Sequence, residues 1–237
     1  MVNRKERCFF DKNTNFMYNE EIKTEMRNDM KKRIKVLLCM VAVLLSLVGI
    51  QICTYANMSE KTVDIMFLHD THSHLNAFAT VEDGTSQVLG GFSRIKTLIN
   101  QQKEKNPETL LLDAGDFSMG TLIQVIYETE ASELRMLGEL GIEATTLGNH
   151  EFDYKAKGLA NMLNTASESG DALPELLVCN VDWESMKTES MTEEQQLLWD
   201  SFETYGVKDY IMLEKNEVNI AVLGVFGTDA LACVPSC

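Results

Sequence analysis

The sequence predicts an α/β layered fold, because short apolar runs typical of strands alternate with amphipathic segments typical of helices. Two further features stand out: a basic and then apolar segment near the start, and three polar motifs that each follow a predicted strand. The 237 residues are 45% hydrophobic and 24% charged, which is ordinary for a globular protein. This composition excludes a wholly disordered or fibrous chain.

The first 56 residues are predicted to form a targeting segment. A basic cluster within residues 31–35 precedes an uncharged apolar run over residues 36–50, and the small-residue triplet Thr54-Tyr55-Ala56 follows. This order is typical of an export signal. A cleaved signal peptide and an uncleaved membrane anchor over residues 36–52 both stay open, and a buried core helix is a third alternative that the basic flank disfavours. A start at Met30 would give a signal of ordinary length.

The charge distribution bears on location and partners. The net charge is −15, and most of the acidic residues lie after residue 56. Because the basic flank of an export segment stays inside, the acidic part is expected outside the cytoplasm: secreted, at the cell surface or in the periplasm. A strongly acidic protein lacks the basic face that nucleic acids need, so no nucleic-acid partner is expected. Membrane contact is expected only through the N-terminal apolar segment.

Residues 57–237 are predicted to be one domain of alternating strands and helices. Strands are predicted over residues 63–68, 109–112, 144–147, 176–179, 210–213 and 218–226. Helices are predicted over residues 92–102 and 130–140, around residues 159–163, and over residues 191–205. Gly141 is expected to end the second of these helices. The last two strands are expected to form a hairpin through residues 215–217.

Polar motifs follow three of the predicted strands. They are His69-Asp70-Thr71-His72-Ser73-His74, Asp113-Ala114-Gly115-Asp116 and Gly148-Asn149-His150-Glu151-Phe152-Asp153. All four histidines of the chain lie in the first and third motifs. Because ligands gather beyond the carboxyl ends of strands in α/β folds, these side chains are expected to converge at one edge of a sheet.

The residue types point to metal chemistry. Asp70 and His72 lie on the same side of an extended segment and can hold one divalent ion. Asp116 can give one oxygen to each of two ions, and Asn149 offers a carbonyl oxygen. Two ions about 3.5–4 Å apart are a known device for hydrolysing phosphate esters. The expected cofactors are therefore two divalent ions (Mn, Zn, Co or Mg), which would also offset the repulsion between an acidic protein and an anionic phosphate ester.

The three motifs in this order resemble those of the calcineurin-like metallophosphoesterases. The longer strings are similar to the 5′-nucleotidase branch, which includes UDP-sugar hydrolases and 2′,3′-cyclic nucleotide phosphodiesterases. The resemblance covers roughly residues 62–228 and implies the front part of a four-layer α/β/β/α sandwich. It implies that metals are bound by Asp70, His72, Asp116 and Asn149.

The resemblance also implies the remaining roles. His150 would face the phosphate and stabilise the transition state or assist the leaving group, and Asp153 would hold its ring. A bridging hydroxide on the dinuclear site would attack a small phosphate ester, most readily a nucleotide. Asp113 and Glu151 are expected to hydrogen-bond the loops instead of binding metal.

The chain departs from the family pattern in its later part. No histidine follows His150, whereas the pattern requires two more histidine ligands and a separate nucleoside-binding domain. The sequence is therefore predicted to lack the C-terminal part of the same enzyme. Two hypotheses stay open: an exported phosphoesterase seen in part, and a truncated, catalytically inactive fragment or surface-binding module that retains the first half of the fold.

Overall fold

The computed structural model describes residues 12–56, 60–188 and 190–235, with side chains over residues 23–46, 60–187 and 190–235. The chain divides into two units between Glu60 and Lys61. In the first unit, helix α1 spans Lys12–Ala56. Within the described ranges, no helix has the length and apolar character needed to cross a membrane. The signal or anchor stays a prediction, and the side chains of residues 47–52 in it lie outside those described.

The second unit alternates strands and helices. The strands are β1 (Ile65–Leu68), β2 (Phe78–Glu82), β3 (Thr85–Leu89), β4 (Leu110–Asp113), β5 (Ala144–Thr145), β6 (Glu175–Leu176), β7 (Tyr210–Lys215) and β8 (Val218–Leu223). The helices are α2 (Phe92–Lys105), α3 (Tyr127–Glu130), α4 (Ser132–Leu140), α5 (Lys155–Glu168), α6 (Trp183–Thr188), α7 (Glu193–Tyr205) and α8 (Thr228–Cys233). Two 3₁₀ turns are added at Leu122–Ile126 and His150–Phe152.

A parallel sheet with the strand order β1-β4-β5-β6 forms the centre of this unit. Leu68 pairs with Asp113 across β1 and β4, and Leu112 pairs with Ala144 across β4 and β5. The carboxyl ends of these three strands therefore lie side by side. The predicted α/β fold with a parallel sheet is confirmed, whereas the four-layer arrangement stays a prediction.

Helices cover one face of the sheet. The core contains fully buried leucines from β4, α4 and α5, among them Leu111, Leu134 and Leu159. In β1, Met66 and Leu68 pack against this core, while Ile65 and Phe67 on the opposite face are 54% and 57% exposed. The alternation along β1 thus leaves the second face of the strand open to solvent.

Some elements differ from those predicted. β5 and β6 are shorter than expected, with two residues each. Beyond Leu176 the backbone pairs with the segments that flank the β7–β8 hairpin. Val178 N donates to Lys208 O at 2.9 Å, and Cys179 N donates to Gly224 O at 2.9 Å. The helix ending at Gly141, whose φ is 88°, and the hairpin formed by β7 and β8 are confirmed.

Candidate metal centre

The loops after β1 and β4 run side by side and extend the parallel pairing of these strands. Asp70 N donates to Gly115 O at 3.1 Å, and His72 N donates to Asp116 O at 3.1 Å. Asp70, His72 and Asp116 have φ values of 49°, 45° and 51°, and Ser73 and Met119 in the same loops have 53° and 60°. These left-handed turns bring His72 and Asp116 next to each other.

The loop after β5 reaches the same place. His150 N donates to Asp116 Oδ1 at 3.0 Å, which ties the third motif to the second. Gly148 lies so close that a Cβ added there would be 2.5 Å from Asp116 Cγ and 2.7 Å from Asp116 N. Glycine is therefore needed for the β4 and β5 loops to approach each other at this point.

Three donor side chains converge at this edge of the sheet. Ligand atoms of His72, Asp116 and His150 all lie within 4.8 Å of one another, and each residue is half-buried. The two imidazole rings are 4.9 Å apart at 79°. His72 Nδ1 lies 3.2 Å from Met119 O, so Nδ1 carries the proton in that contact and Nε2 is the nitrogen available to a metal. Imidazole and carboxylate are ligands that divalent transition metals favour, so the residues fit such an ion.

His150 is held by a second carboxylate. Its Nδ1 lies 3.0 Å from Asp153 Oδ2, the contact that the sequence predicted. Partial burial by itself would lower the pKa of His150, but the hydrogen bond to Asp153 and the negative charges of Asp153, Asp116 and Glu151 outweigh it and raise the pKa above its ordinary value. The ring is therefore oriented by Asp153.

The two other predicted ligands are placed differently. Asp70 is exposed and does not join the three-residue cluster; its Oδ2 lies 3.1 Å from His69 Nδ1. Asn149 is half-buried and directly precedes the 3₁₀ turn at residues 150–152, where its backbone carbonyl accepts from Phe152 N at 3.1 Å. The structure thus brings His72, Asp116, His150 and Asp153 together, and metal binding by Asp70 and Asn149 stays a prediction.

Buried Glu151 links the loops behind the cluster. Its Oε2 accepts from Asp116 N at 3.0 Å and from Gly148 N at 2.6 Å, and its Oε1 accepts from Ser118 N at 3.0 Å and Ser118 Oγ at 2.8 Å. Burial raises the pKa of Glu151 to about 7, although these hydrogen bonds oppose the rise. Glu151 has the loop-bonding role expected from the sequence, but the number of its bonds was not predictable from the motif.

Asp113 serves the same loops from the end of β4. Its Oδ2 accepts from Gly115 N at 3.0 Å and from Thr145 Oγ1 at 2.6 Å, while Oδ1 is buried and finds no hydrogen-bond partner in the described part of the chain. Burial raises the pKa of Asp113 to about 6. Neither Asp113 nor Glu151 belongs to the cluster of convergent donors.

Comparison with known proteins places this site in a family. The model of the calcineurin-like phosphoesterases matches residues 64–226, a range that contains all three motifs. The chain belongs to the calcineurin-like phosphoesterase family. The resemblance inferred from the three motifs is therefore confirmed for this chain.

Relatives of this chain include proteins named as nucleotidases. It is 38% identical to the 5′-nucleotidase of Bos taurus over 105 residues, which are 42% of this chain and 18% of that protein. It is 29% identical over 176 residues to the trifunctional nucleotide phosphoesterase protein YfkN of Bacillus subtilis, covering 70% of this chain and 11% of that protein. The chain thus spans less than a fifth of the length of these relatives.

A solved structure agrees with the fold. The 5′-nucleotidase precursor from Thermus thermophilus superposes with a TM-score of 0.53 at 22% sequence identity, covering 70% of this chain and 29% of that one. At this identity the likeness supports the mixed α/β architecture alone.

Proposed function

We propose that this calcineurin-like phosphoesterase is part of a metal-dependent hydrolase that cleaves phosphate esters of the nucleotide type. The observation that carries the proposal is the convergence of His72, Asp116 and His150 within 4.8 Å at the carboxyl edge of the sheet. The names of the relatives, 5′-nucleotidase and nucleotide phosphoesterase, support nucleotides as the substrate class.

His72 and Asp116 are proposed to bind the metal. His72 offers Nε2, because Nδ1 is engaged by the Met119 carbonyl, and Asp116 is held with one oxygen on the amide of His150. Asp70 joins by rotation of its exposed side chain away from His69, and Asn149 completes the two-ion site proposed from the sequence. A divalent ion bound there would supply Lewis-acid polarisation of the phosphoryl group.

His150 is proposed to act on the phosphate itself. Asp153 Oδ2 lies 3.0 Å from Nδ1 and fixes the ring. Nε2 is thereby left to donate a proton or a hydrogen bond to a phosphoryl or leaving-group oxygen. The raised pKa of His150 supports a proton-donating role, and a hydrogen bond from Nε2 would stabilise the negative charge that develops in the transition state.

The proposal also covers export of the protein and a C-terminal part that supplies further metal ligands. Export through the segment at residues 1–56, either cleaved or retained as an anchor over residues 36–52, follows from its basic-then-apolar order. Further histidine ligands would come from a C-terminal part of the same enzyme, since His150 is the last histidine in these 237 residues.

The test is metal binding by the full 237-residue chain. Calorimetric titration with Mn²⁺ is expected to show at least about 100-fold weaker binding for Asp116→Ala than for the wild type, since a direct ligand matters at least as much as the groups that orient it. Asp200→Ala is the control, because Asp200 is an exposed carboxylate on α7 that bonds Gln196. Equal Mn²⁺ binding by the wild type and Asp116→Ala would contradict the proposal.

Activity is measured in the same series. Phosphate release from AMP is measured directly. Hydrolysis of UDP-glucose and of 2′,3′-cyclic AMP is measured as the phosphate that an added phosphatase releases from their products. All three reactions should depend on Mn²⁺ and should fall with Asp116→Ala. Metal binding without turnover of any nucleotide would support the inactive-fragment hypothesis against the enzyme.

A further inference from the structure

The carboxylate of Glu151 accepts hydrogen bonds from the loops that carry the candidate metal ligands. Both of its carboxylate oxygens accept two hydrogen bonds, and three of the four donors are backbone amides of Asp116, Gly148 and Ser118. The side chain is fully buried, so water cannot replace a lost bond. A carboxylate is the side chain that can accept this many donors without offering one.

These bonds form a closed circuit with two residues of the candidate site, Asp116 and His150. Glu151 holds the amide of Asp116, the Asp116 carboxylate holds the amide of His150, and His150 is the chain neighbour of Glu151. The amide of Gly148, bonded to the same Glu151 oxygen, fixes the start of the His150 loop. A shift of the Glu151 carboxylate must therefore displace Asp116 relative to His150.

Glu151 is also fixed from behind. The Tyr127 hydroxyl on α3 donates to the backbone carbonyl of Glu151 at 2.9 Å, and both residues are fully buried. Glu151 is thus anchored to α3 through its backbone carbonyl and to the two loops through its carboxylate.

We propose that Glu151 is a positioning residue: it sets the register between the β4 loop and the β5 loop, and through that register the position of the Asp116 ligand and its distance from His150. The predicted effect on metal affinity rests on the proposed function. The effect on the position of the two loops can be measured without metal.

The experiment compares wild type and Glu151→Gln by amide hydrogen exchange in the full chain. Glutamine keeps the size of the side chain but places an NH₂ group against two of the four donors. The reporter is the amide of His150, because it bonds to Asp116 and not to Glu151. Its exchange is expected to accelerate at least about tenfold while amides in the core of α4 keep their wild-type rates. The Mn²⁺ affinity of the folded variant is expected to fall about 10- to 100-fold.

Glu133→Gln is the matched control. Glu133 is an equally buried glutamate, but it accepts from the side chain of Ser73 in the loop after β1 and not from the β4 and β5 loops that carry Asp116 and His150. The control is expected to leave the exchange of the His150 amide at the wild-type rate. Equal acceleration in both variants would overturn the proposal, because the effect would then be general loss of packing.

Ser118→Ala keeps the inference testable if Glu151→Gln does not fold. It removes the hydroxyl donor and leaves the three amide donors, so a smaller acceleration of His150 exchange is expected. Wild-type exchange at His150 in a folded Glu151→Gln or, failing that, in Ser118→Ala would overturn the proposal. A wild-type chain that binds no Mn²⁺ would instead overturn the metal centre, while accelerated His150 exchange would still support the positioning role.

Discussion

Replacing Gly148 by alanine is expected to disrupt the candidate metal centre through a single methyl group. The φ of Gly148 lies outside the left-handed region, so alanine can adopt its backbone conformation. The amide that bonds Glu151 is retained as well. The cost of the substitution therefore comes from the contact of the new methyl group with Asp116.

The size of the effect follows from two distances. The new Cβ would lie 2.5 Å from Asp116 Cγ and 2.7 Å from Asp116 N, whereas carbon atoms in contact are separated by about 3.5–4.0 Å. Asp116 must therefore move by about 1 Å relative to His150. Overpacking of this kind costs about 1–3 kcal/mol of stability. A misplacement of about 1 Å in a reacting site can reduce activity by about 100-fold.

Gly227→Ala is the matched control, because Gly227 has a φ of −71° and a Cβ added there meets no atom within 4 Å. Mn²⁺ affinity, nucleotide hydrolysis and the thermal midpoint are measured for both variants and the wild type. Gly148→Ala should lose metal affinity and activity, and Gly227→Ala should keep both. Wild-type metal affinity in a folded Gly148→Ala variant would refute the inferred packing of the β5 loop against Asp116.

Three further changes test other parts of the structure. Thr192→Ala removes the capping box of α7 and should lower the free energy of unfolding by about 1 kcal/mol in urea titrations, whereas Thr204→Ala, within the same helix, should cost less. Because the pKa of Asp113 is raised to about 6 by burial, the folded protein holds a proton there that the unfolded chain releases near pH 4. The contribution of Asp113 to stability should therefore fall by up to about 3 kcal/mol from pH 4 to pH 6, and Asp113→Asn should remove this part of the pH dependence while the part due to Glu151 stays. Asp153→Asn should lower the pKa of His150 in an NMR titration, and an unchanged pKa would contradict the role of Asp153.

Much of the fold was predictable from local pattern. The short leucine run in β4 favours a buried strand, and Gly141 predicts the end of α4. The β2–β3 hairpin was missed, although its signal was present. Asp83-Gly84 joins the two strands with φ values of 49° and 76°, as a type I′ turn requires, and this dipeptide is a strong hairpin indicator.

The site was predictable only where strand ends determine it. His72 and Asp116 meet because the parallel register of β1 and β4 continues into their loops. The direction of the Asp70 side chain depends on a φ of 49° and on a contact with its neighbour His69, and no sequence pattern reports either. The burial of Glu151 could not be predicted from the sequence either, because its partners come from segments that only the folded chain brings together.

The left-handed turns beneath the donors have an evolutionary consequence. Asp70, His72, Ser73, Asp116 and Met119 adopt a conformation that costs a residue with a side chain roughly 1–2 kcal/mol. Glycine would relieve that cost, so selection for thermal stability alone favours glycine substitutions that also make the loops more flexible. Variants stabilised in this way are expected to bind metal ions more weakly. Substitutions that raise thermal stability without this loss should be sought in the helices.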